Sequence, residues 1–206
     1  ESSIHDKAPL SFLKCNFCQH VQISFDLPQS FYNDYVMTVS HSKKMNDFQN
    51  EQADFFIKEF NLVGKNVFEA GCGDGNFMSI LKTKGCNVFG NEPSNSFREL
   101  AIKNNFIVDD QFINSDYSNI YAPFDAVISR EVMEHVPEPI EFLSSLKKLL
   151  KTDGAILIEV PNFEKSITNQ RYYDMLPDHL SYFTLESLTA AMLTRGLNNI
   201  NIHFGM

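Results

Sequence analysis

Tryptophan is absent from the 206 residues, so 19 phenylalanines, with 7 tyrosines, must supply the aromatic volume of any core. No apolar run approaches the ~20 residues that cross a bilayer, which excludes a helical membrane span. Basic residues are the minority sign: 17 Lys+Arg against 26 Asp+Glu give a formal net charge of −9. No uniform basic surface is available to neutralise a phosphate backbone, so a nucleic-acid partner is not expected. The chain also lacks an opening pattern of basic, apolar and small residues that would mark export, and a cytoplasmic location is the expectation. Internal repeats, low-complexity tracts and long linkers are missing too. Cysteine is sparse, and in a reducing compartment Cys15, Cys18, Cys72 and Cys86 are not expected to pair. What remains, 43% hydrophobic and 21% charged residues, is the composition of an ordinary folded domain.

Residues 1–41 carry weak periodicity and read as an irregular N-terminal extension, with a short strand at Val21 to Phe25. From about Ser42 to Asn61 the apolar residues Met45, Phe48, Phe55, Phe56 and Phe60 recur at helical intervals, which predicts an amphipathic helix opening a main domain over 42–206. Strand and helix signals then alternate. Val67 to Ala70, a glycine turn, a helix through Phe77, Ile80 and Leu81, a strand at Cys86 to Gly90 and a helix from Ser94 to Lys103 imply a parallel sheet with crossover helices. Phe124 to Ser129 and Ala155 to Val160 are short apolar runs without alternation, as expected of strands covered on both faces. Between them lie a helix from Pro139 to Leu150 and a Thr152-Asp153-Gly154 turn; a helix over Leu185 to Arg195 and a last strand at Ile200 to Phe204 follow. The fold class is α/β.

Val67-Phe68-Glu69-Ala70-Gly71-Cys72-Gly73-Asp74-Gly75 is a strand running into three alternate glycines and then a helix. Glycine tolerates positive φ and needs no Cβ clearance, so such a turn admits a ligand to bare backbone. Glu92 ends the second strand, where a carboxylate can accept from both hydroxyls of a ribose. The ligand class is a nucleoside. A nicotinamide dinucleotide would use the same geometry, but its fingerprint is G-x-G-x-x-G, and the spacing here is G-x-G-x-G after an acidic residue.

With these residues in view, Glu69 to Gly75, Glu92 and Phe124-Asp125-Ala126-Val127-Ile128 resemble the first, second and fourth motifs of the class I S-adenosylmethionine-dependent methyltransferases. Glu131-Val132-Met133-Glu134-His135-Val136 and Leu150-Lys151-Thr152-Asp153-Gly154 are similar to that family's continuation. The resemblance implies a Rossmann-like sheet with helices on both faces, with or without the family's last strand, and S-adenosylmethionine as cofactor. It implies that Glu69, Gly71, Cys72 and Gly73 back the methionine part and that Glu92 and Pro93 lie at the ribose. By the same resemblance Asp116 and Tyr117 flank the adenine, while Ser129, Arg130 and Glu131 line the reactive end.

A narrower resemblance lies in Tyr172-Tyr173-Asp174 and Asp178-His179-Leu180-Ser181-Tyr182-Phe183-Thr184, which is similar to a stretch of the sugar C-methyltransferases acting on nucleotide-linked deoxysugars. In that family the histidine is a proposed general base. It implies His179, with Asp178, as the base here, with His135 as the rival and Tyr172, Tyr173 and Tyr182 as acceptor contacts. The chemistry agrees: the sulfonium activates the methyl group, so the protein positions the acceptor and takes its proton, a task suited to neutral imidazole. That family also carries a four-cysteine zinc module, of which Cys15-Asn16-Phe17-Cys18 is one half; no bound metal is expected.

The expectation is therefore an S-adenosylmethionine-dependent methyltransferase acting on a small polar metabolite. A nucleotide-linked sugar or surface-glycan precursor on the way to polysaccharide leads, methylated at carbon or oxygen, with neither nucleic acid nor membrane as partner. The alternatives are a subunit that binds the cofactor but is catalytically silent and, with less support from the glycine spacing, a nicotinamide-dependent oxidoreductase.

Overall fold

The computed structural model describes residues 10–24 and 42–203. Chain contacts divide them into two compact units, one of 10–24, 131–143 and 159–201 and the other of 42–130, 144–158 and 202–203. A boundary at 41/42 does not express this grouping, since segments far along the chain join the N-terminal residues.

The larger unit is built on a five-stranded parallel sheet. Its strands are β3 (Asn66–Ala70), β4 (Asn87–Asn91), β5 (Ile107–Asp109), β6 (Phe124–Arg130) and β7 (Leu150–Glu159), in the order β5-β4-β3-β6-β7. Helices α1 (Lys43–Phe60), α2 (Asn76–Thr83), α3 (Asn95–Lys103) and α4 (Pro139–Lys148) alternate with them. Ser42 caps α1 by accepting from the Met45 N–H at 3.1 Å, and Asn61 ends it in the left-handed region at φ 51°. Of the apolar set that predicts this helix, Phe56 is buried with Ala53 and Ile57, whereas Phe55 and Phe60 are largely exposed. One core cluster joins these α1 residues to Val67, Phe77, Leu81, Ala126, Ile128 and Ala155. Phe68 and Phe124 are fully buried with ring centroids 5.0 Å apart, each contributing about 1.5–3 kcal/mol by burial.

The smaller unit contains a three-stranded antiparallel sheet, β1 (Phe12–Lys14), β2 (Val21–Ile23) and β8 (Ser181–Tyr182), in the order β1-β2-β8. Residues 12–23 of the N-terminal stretch thus form a hairpin whose second strand begins at the expected Val21, and Phe25 lies outside the described residues. Val21, Ile23, Phe163, Leu180 and Tyr182 form its core. Helices α5 (Phe163–Thr168) and α6 (Leu185–Thr194) complete the described elements. Asn162 caps α5, and a reciprocal Thr184–Ser187 capping box starts α6.

Two expectations are corrected. Thr152-Asp153-Gly154 does not turn; it lies within β7, where a Cβ on Gly154 would stand 3.2 Å from the Asp125 carbonyl oxygen. The glycine there serves close backbone approach and not a bend. Residues 200–203 form no strand, Phe204 lies outside the described residues, and among the described residues the sheet ends at β7.

Gly90 shows how tightly the central strands are set. A Cβ there would meet the Glu69 carbonyl oxygen at 2.9 Å and the Cys72 side chain at 3.2 Å. Gly90→Ala must push β4 from β3 and is expected to destabilise by about 1–3 kcal/mol, read as a lowered urea midpoint at unchanged slope. An unchanged midpoint would show that these strands have slack.

Candidate active site

The sheet places the carboxyl ends of β3, β4 and β6 side by side, with Ala70 in register with both Asn91 and Ser129. Strand order reverses at β3, and the crevice beyond such a reversal is where open α/β sheets hold ligands. Gly71, Gly73 and Gly75 all adopt positive φ, at 66°, 56° and 82°. Each would strain any other residue, which explains the alternate spacing. A Cβ on Gly73 would meet nothing within 4 Å, so the space above the turn is open. On Gly75, in contrast, it would strike the Phe106 ring at 2.9 Å; this glycine is needed for packing at the start of α2.

Glu92 closes the turn from the neighbouring strand. One carboxylate oxygen accepts from the Gly73 N–H and the other from the Ser94 N–H, both at 2.8 Å. Burial pushes its pKa above the ordinary carboxylate value, against the pull of those two N–H groups. The Arg98 guanidinium donates to the carbonyls of Glu92 and Pro93 at 2.9 and 3.2 Å and so fixes the backbone on which the carboxylate stands. Asn91, itself buried, accepts from the Gly71 N–H at 3.2 Å and donates to the Gln111 carbonyl at 2.8 Å.

Beyond β5 a second network forms. Asp109 accepts from the Tyr117 hydroxyl at 2.7 Å and from the Asn119 amide at 3.1 Å. Burial first, with the Asp109 carboxylate adding, raises the Tyr117 phenol so that it stays a donor. Asp116 is exposed beside it. An open hollow of about 440 Å³ is lined by Asp110, Gln111, Phe112, Asn114, Asp116 and Tyr117. The two residues expected at one end of the ligand therefore share a surface.

The electrostatics of this crevice are negative. Burial raises the Cys72 thiol well above its ordinary pKa, and the carboxylates of Glu69, Glu92 and Asp109 push the same way. Glu69 is itself buried. At the end of β6, the Ser129 hydroxyl is fully buried with no hydrogen-bond partner among the described residues, and Arg130 lies over the Phe77 ring at 4.2 Å. Carboxylates that accept hydroxyl protons and oppose positive charge, bare glycine backbone and an unused hydroxyl suit a ligand bearing both hydroxyls and a cationic centre.

The remaining predicted residues belong to the smaller unit. His135 lies in a short 3-10 turn, Met133–His135, after β6. Its Nδ1 donates to the Asp178 carbonyl at 2.8 Å, and the His179 ring stands edge-on to it with centroids 4.8 Å apart. Burial, then the neighbouring His135, lowers the His179 pKa to about 4, against Asp178 and Asp174. Burial also lowers His135. Both rings are therefore neutral at pH 7. Asp178 also faces His135, its Oδ2 lying 3.6 Å from Nδ1. Glu131 opens this segment at φ 52°, an uncommon conformation for a residue other than glycine.

The three tyrosines separate. Tyr172 and Tyr173 are exposed, whereas Tyr182 is 4% exposed and donates its hydroxyl to the Leu176 carbonyl at 3.0 Å. Tyr182 belongs to the core of the smaller unit. Cys15 and Cys18 flank the turn between β1 and β2 as free thiols, with Cys15 lowered from its ordinary pKa by backbone N–H groups of Cys18 and Phe17.

A doubly wound parallel sheet with a glycine turn and an acidic residue at adjoining strand ends defines a nucleoside-binding α/β domain of the class I methyltransferase type. The chain belongs to the methyltransferase domain family, whose model matches residues 44–202. It is 22% identical over 204 residues to the C-methyltransferase NovU of Streptomyces niveus, covering 95% of this chain and 48% of that protein. To the ubiquinone biosynthesis O-methyltransferase of Actinobacillus pleuropneumoniae it is 30% identical over 115 residues, 51% of this chain and 49% of the relative. The chain thus spans about half the length of these curated relatives. Its fold is shared with a SAM-dependent methyltransferase of Archaeoglobus fulgidus at TM-score 0.59, 21% identity, covering 73% of this chain and 68% of the other.

Asn91, Asp109, Arg98 and Asn119 were not legible as site residues in the sequence, because nothing in their spacing marks a hydrogen bond across strands. The Asn immediately before Glu92 was the available signal. Asn91→Ala removes an acceptor from the Gly71 N–H and a donor from the Gln111 carbonyl, and is expected to destabilise by about 1–3 kcal/mol. Thermal or urea unfolding measures it; stability equal to the parent would mean water replaces both bonds.

Proposed function

We propose that the chain is the catalytic domain of an S-adenosylmethionine-dependent methyltransferase acting on a small polar acceptor, with a nucleotide-linked sugar as the leading class. The observation that carries the cofactor assignment is the Glu92 carboxylate bound to the Gly73 N–H. It puts an anionic acceptor beside bare glycine backbone, within a field that Glu69 and Asp109 also make negative. Such a field favours a ligand with a sulfonium and an ammonium over the anionic pyrophosphate of a nicotinamide dinucleotide. Family membership over 44–202 supports the same reading.

In that reading the methionine part lies over Gly71, Cys72 and Gly73, Glu92 and Pro93 meet the ribose, and the hollow at Asp116 and Tyr117 takes the adenine. Ser129, Arg130 and Glu131 lie toward the reactive end. The cofactor supplies the electrophilic methyl group; the chain supplies orientation and proton acceptance. His179, with Asp178 and His135 about it, is assigned to the acceptor, and Tyr172 and Tyr173 offer exposed hydroxyls for its recognition. The sugar class rests on the resemblance of Asp178 to Thr184 to the sugar C-methyltransferases, and similarity to the C-methyltransferase NovU runs along 95% of the chain, while the O-methyltransferase similarity covers 51%.

Glu92→Gln keeps the shape of the carboxylate and removes its charge. Loss of charge-assisted hydrogen bonds to ribose, about 1.5–3 kcal/mol, predicts roughly 10- to 150-fold weaker binding of S-adenosylhomocysteine by calorimetry. Equal affinity would overturn the ribose assignment. Incubation with labelled cofactor and a panel of nucleotide sugars tests turnover: label in a sugar nucleotide, reduced at least tenfold in His179→Ala at unchanged cofactor affinity, is the expected result. Binding without transfer to any acceptor would favour the silent subunit.

A further inference from the structure

Outside the cofactor crevice, the smaller unit gathers a second set of chemistry-bearing side chains. One ligand atom each from Glu134, His135 and His179 lie within 4.8 Å of one another. Glu134 is 1% exposed, neither of its carboxylate oxygens meets a hydrogen-bond partner at bonding distance among the described residues, and burial first, with Glu131 adding, raises its pKa well above the ordinary carboxylate value. Its Oε1 lies 3.9 Å from His135 Nε2. An acid buried in this way without a donor costs several kcal/mol unless a cation or a proton meets it.

The His135 imidazole is oriented as a metal ligand is, and His179 stands beside it. His135 gives its Nδ1 proton to the Asp178 carbonyl at 2.8 Å, which leaves the Nε2 lone pair directed toward Glu134. His179 is 8% exposed and stands edge-on to His135, with a ring nitrogen within 4.8 Å of the other two ligand atoms. Carbonyl anchoring of the far nitrogen is the usual support of a metal-binding histidine. Glu131 and Glu159 add negative charge around Glu134. Donors about 2.0–2.1 Å from an ion stand about 3.4 Å apart in a tetrahedral site, so small ring tilts would close the present spread.

We propose that Glu134, His135 and His179 form a binding site for one divalent ion of the zinc class, with a fourth position left open. Two imidazole nitrogens and one carboxylate oxygen suit Zn²⁺, whereas Mg²⁺ and Ca²⁺ prefer all-oxygen sets. The open position would take water or an acceptor oxygen. The site does not depend on the methyl-transfer reading, since it is defined without cofactor or acceptor; its occupancy decides whether His179 is ligand or free base.

The test uses the chain with Cys15→Ser and Cys18→Ser, so that the hairpin thiols cannot bind the ion. After chelator treatment, Co²⁺ titration should give a visible d–d absorption saturating at one ion per chain, without thiolate charge transfer. Equimolar Zn²⁺ should displace it, and a large excess of Mg²⁺ should not. Glu134→Gln and His179→Gln, checked for folding by circular dichroism, should each weaken Co²⁺ binding ~10-fold or more. Should Glu134→Gln fail to fold, His179→Gln decides alone. Absence of a stoichiometric ion, equal affinity in the folded variants, or displacement by Mg²⁺ would overturn the site. Methyl transfer is scored separately, with or without metal, so failure of either reading leaves the other standing.

Discussion

A single carboxylate tying two strand ends together organises the cofactor crevice. Glu92 accepts from Gly73 on one side and Ser94 on the other, so the turn after β3 and the start of α3 are held by one side chain. The glycine turn leaves N–H groups without intrahelical partners, and the acid satisfies one of them. Its cost is desolvation, seen in the raised pKa. Each carboxylate oxygen has a further lone pair, so the group that shapes the turn can still grip hydroxyls. Structure and binding here use one residue, which is why spacing to Glu92 carries so much information.

The parts visible in the sequence were those encoded locally. Strand, alternate glycines and helix follow one another without interruption from Val67 to Leu81, and each glycine answers to a positive φ. The buried strand Phe124 to Ser129 was legible as a continuous apolar run for the same reason, every position from Ala126 to Ser129 being fully buried. What escaped was encoded in partners far along the chain. β2 was legible as the short strand from Val21, but β1 is too short and too polar to announce itself, and the pairing of Val21 with Tyr182 joins residues far apart in the chain. The same pairing sets the Tyr182 ring in the core of the smaller unit.

Turn chemistry misled at Gly154. Thr-Asp-Gly is a strong local turn signal, yet the strand continues through it, with Lys151 paired to Asp125 at 2.8 Å across the sheet. Tertiary pairing outweighed local preference. At residues 200–203 the expected strand does not form, and β7 is the last strand of the sheet among the described residues.

The segment after β6 concentrates the chemistry that the glycine motif does not explain. Glu131 takes an uncommon backbone conformation, Glu134 is buried among other acids, and two imidazoles meet edge-on. A packing role would be served more cheaply by apolar residues of the same volume, because each buried polar group must recover its hydration. Ser94 or Asn91 recover theirs through hydrogen bonds; Glu134 does not. A buried acid next to two histidine lone pairs is therefore better understood as half of an interaction whose other half carries positive charge. In the larger unit Glu92 and Asp109 recover their hydration through backbone N–H, hydroxyl and amide donors. Packing alone gives no return for a carboxyl buried as Glu134 is, and the proposed ion would supply the charge that offsets its burial.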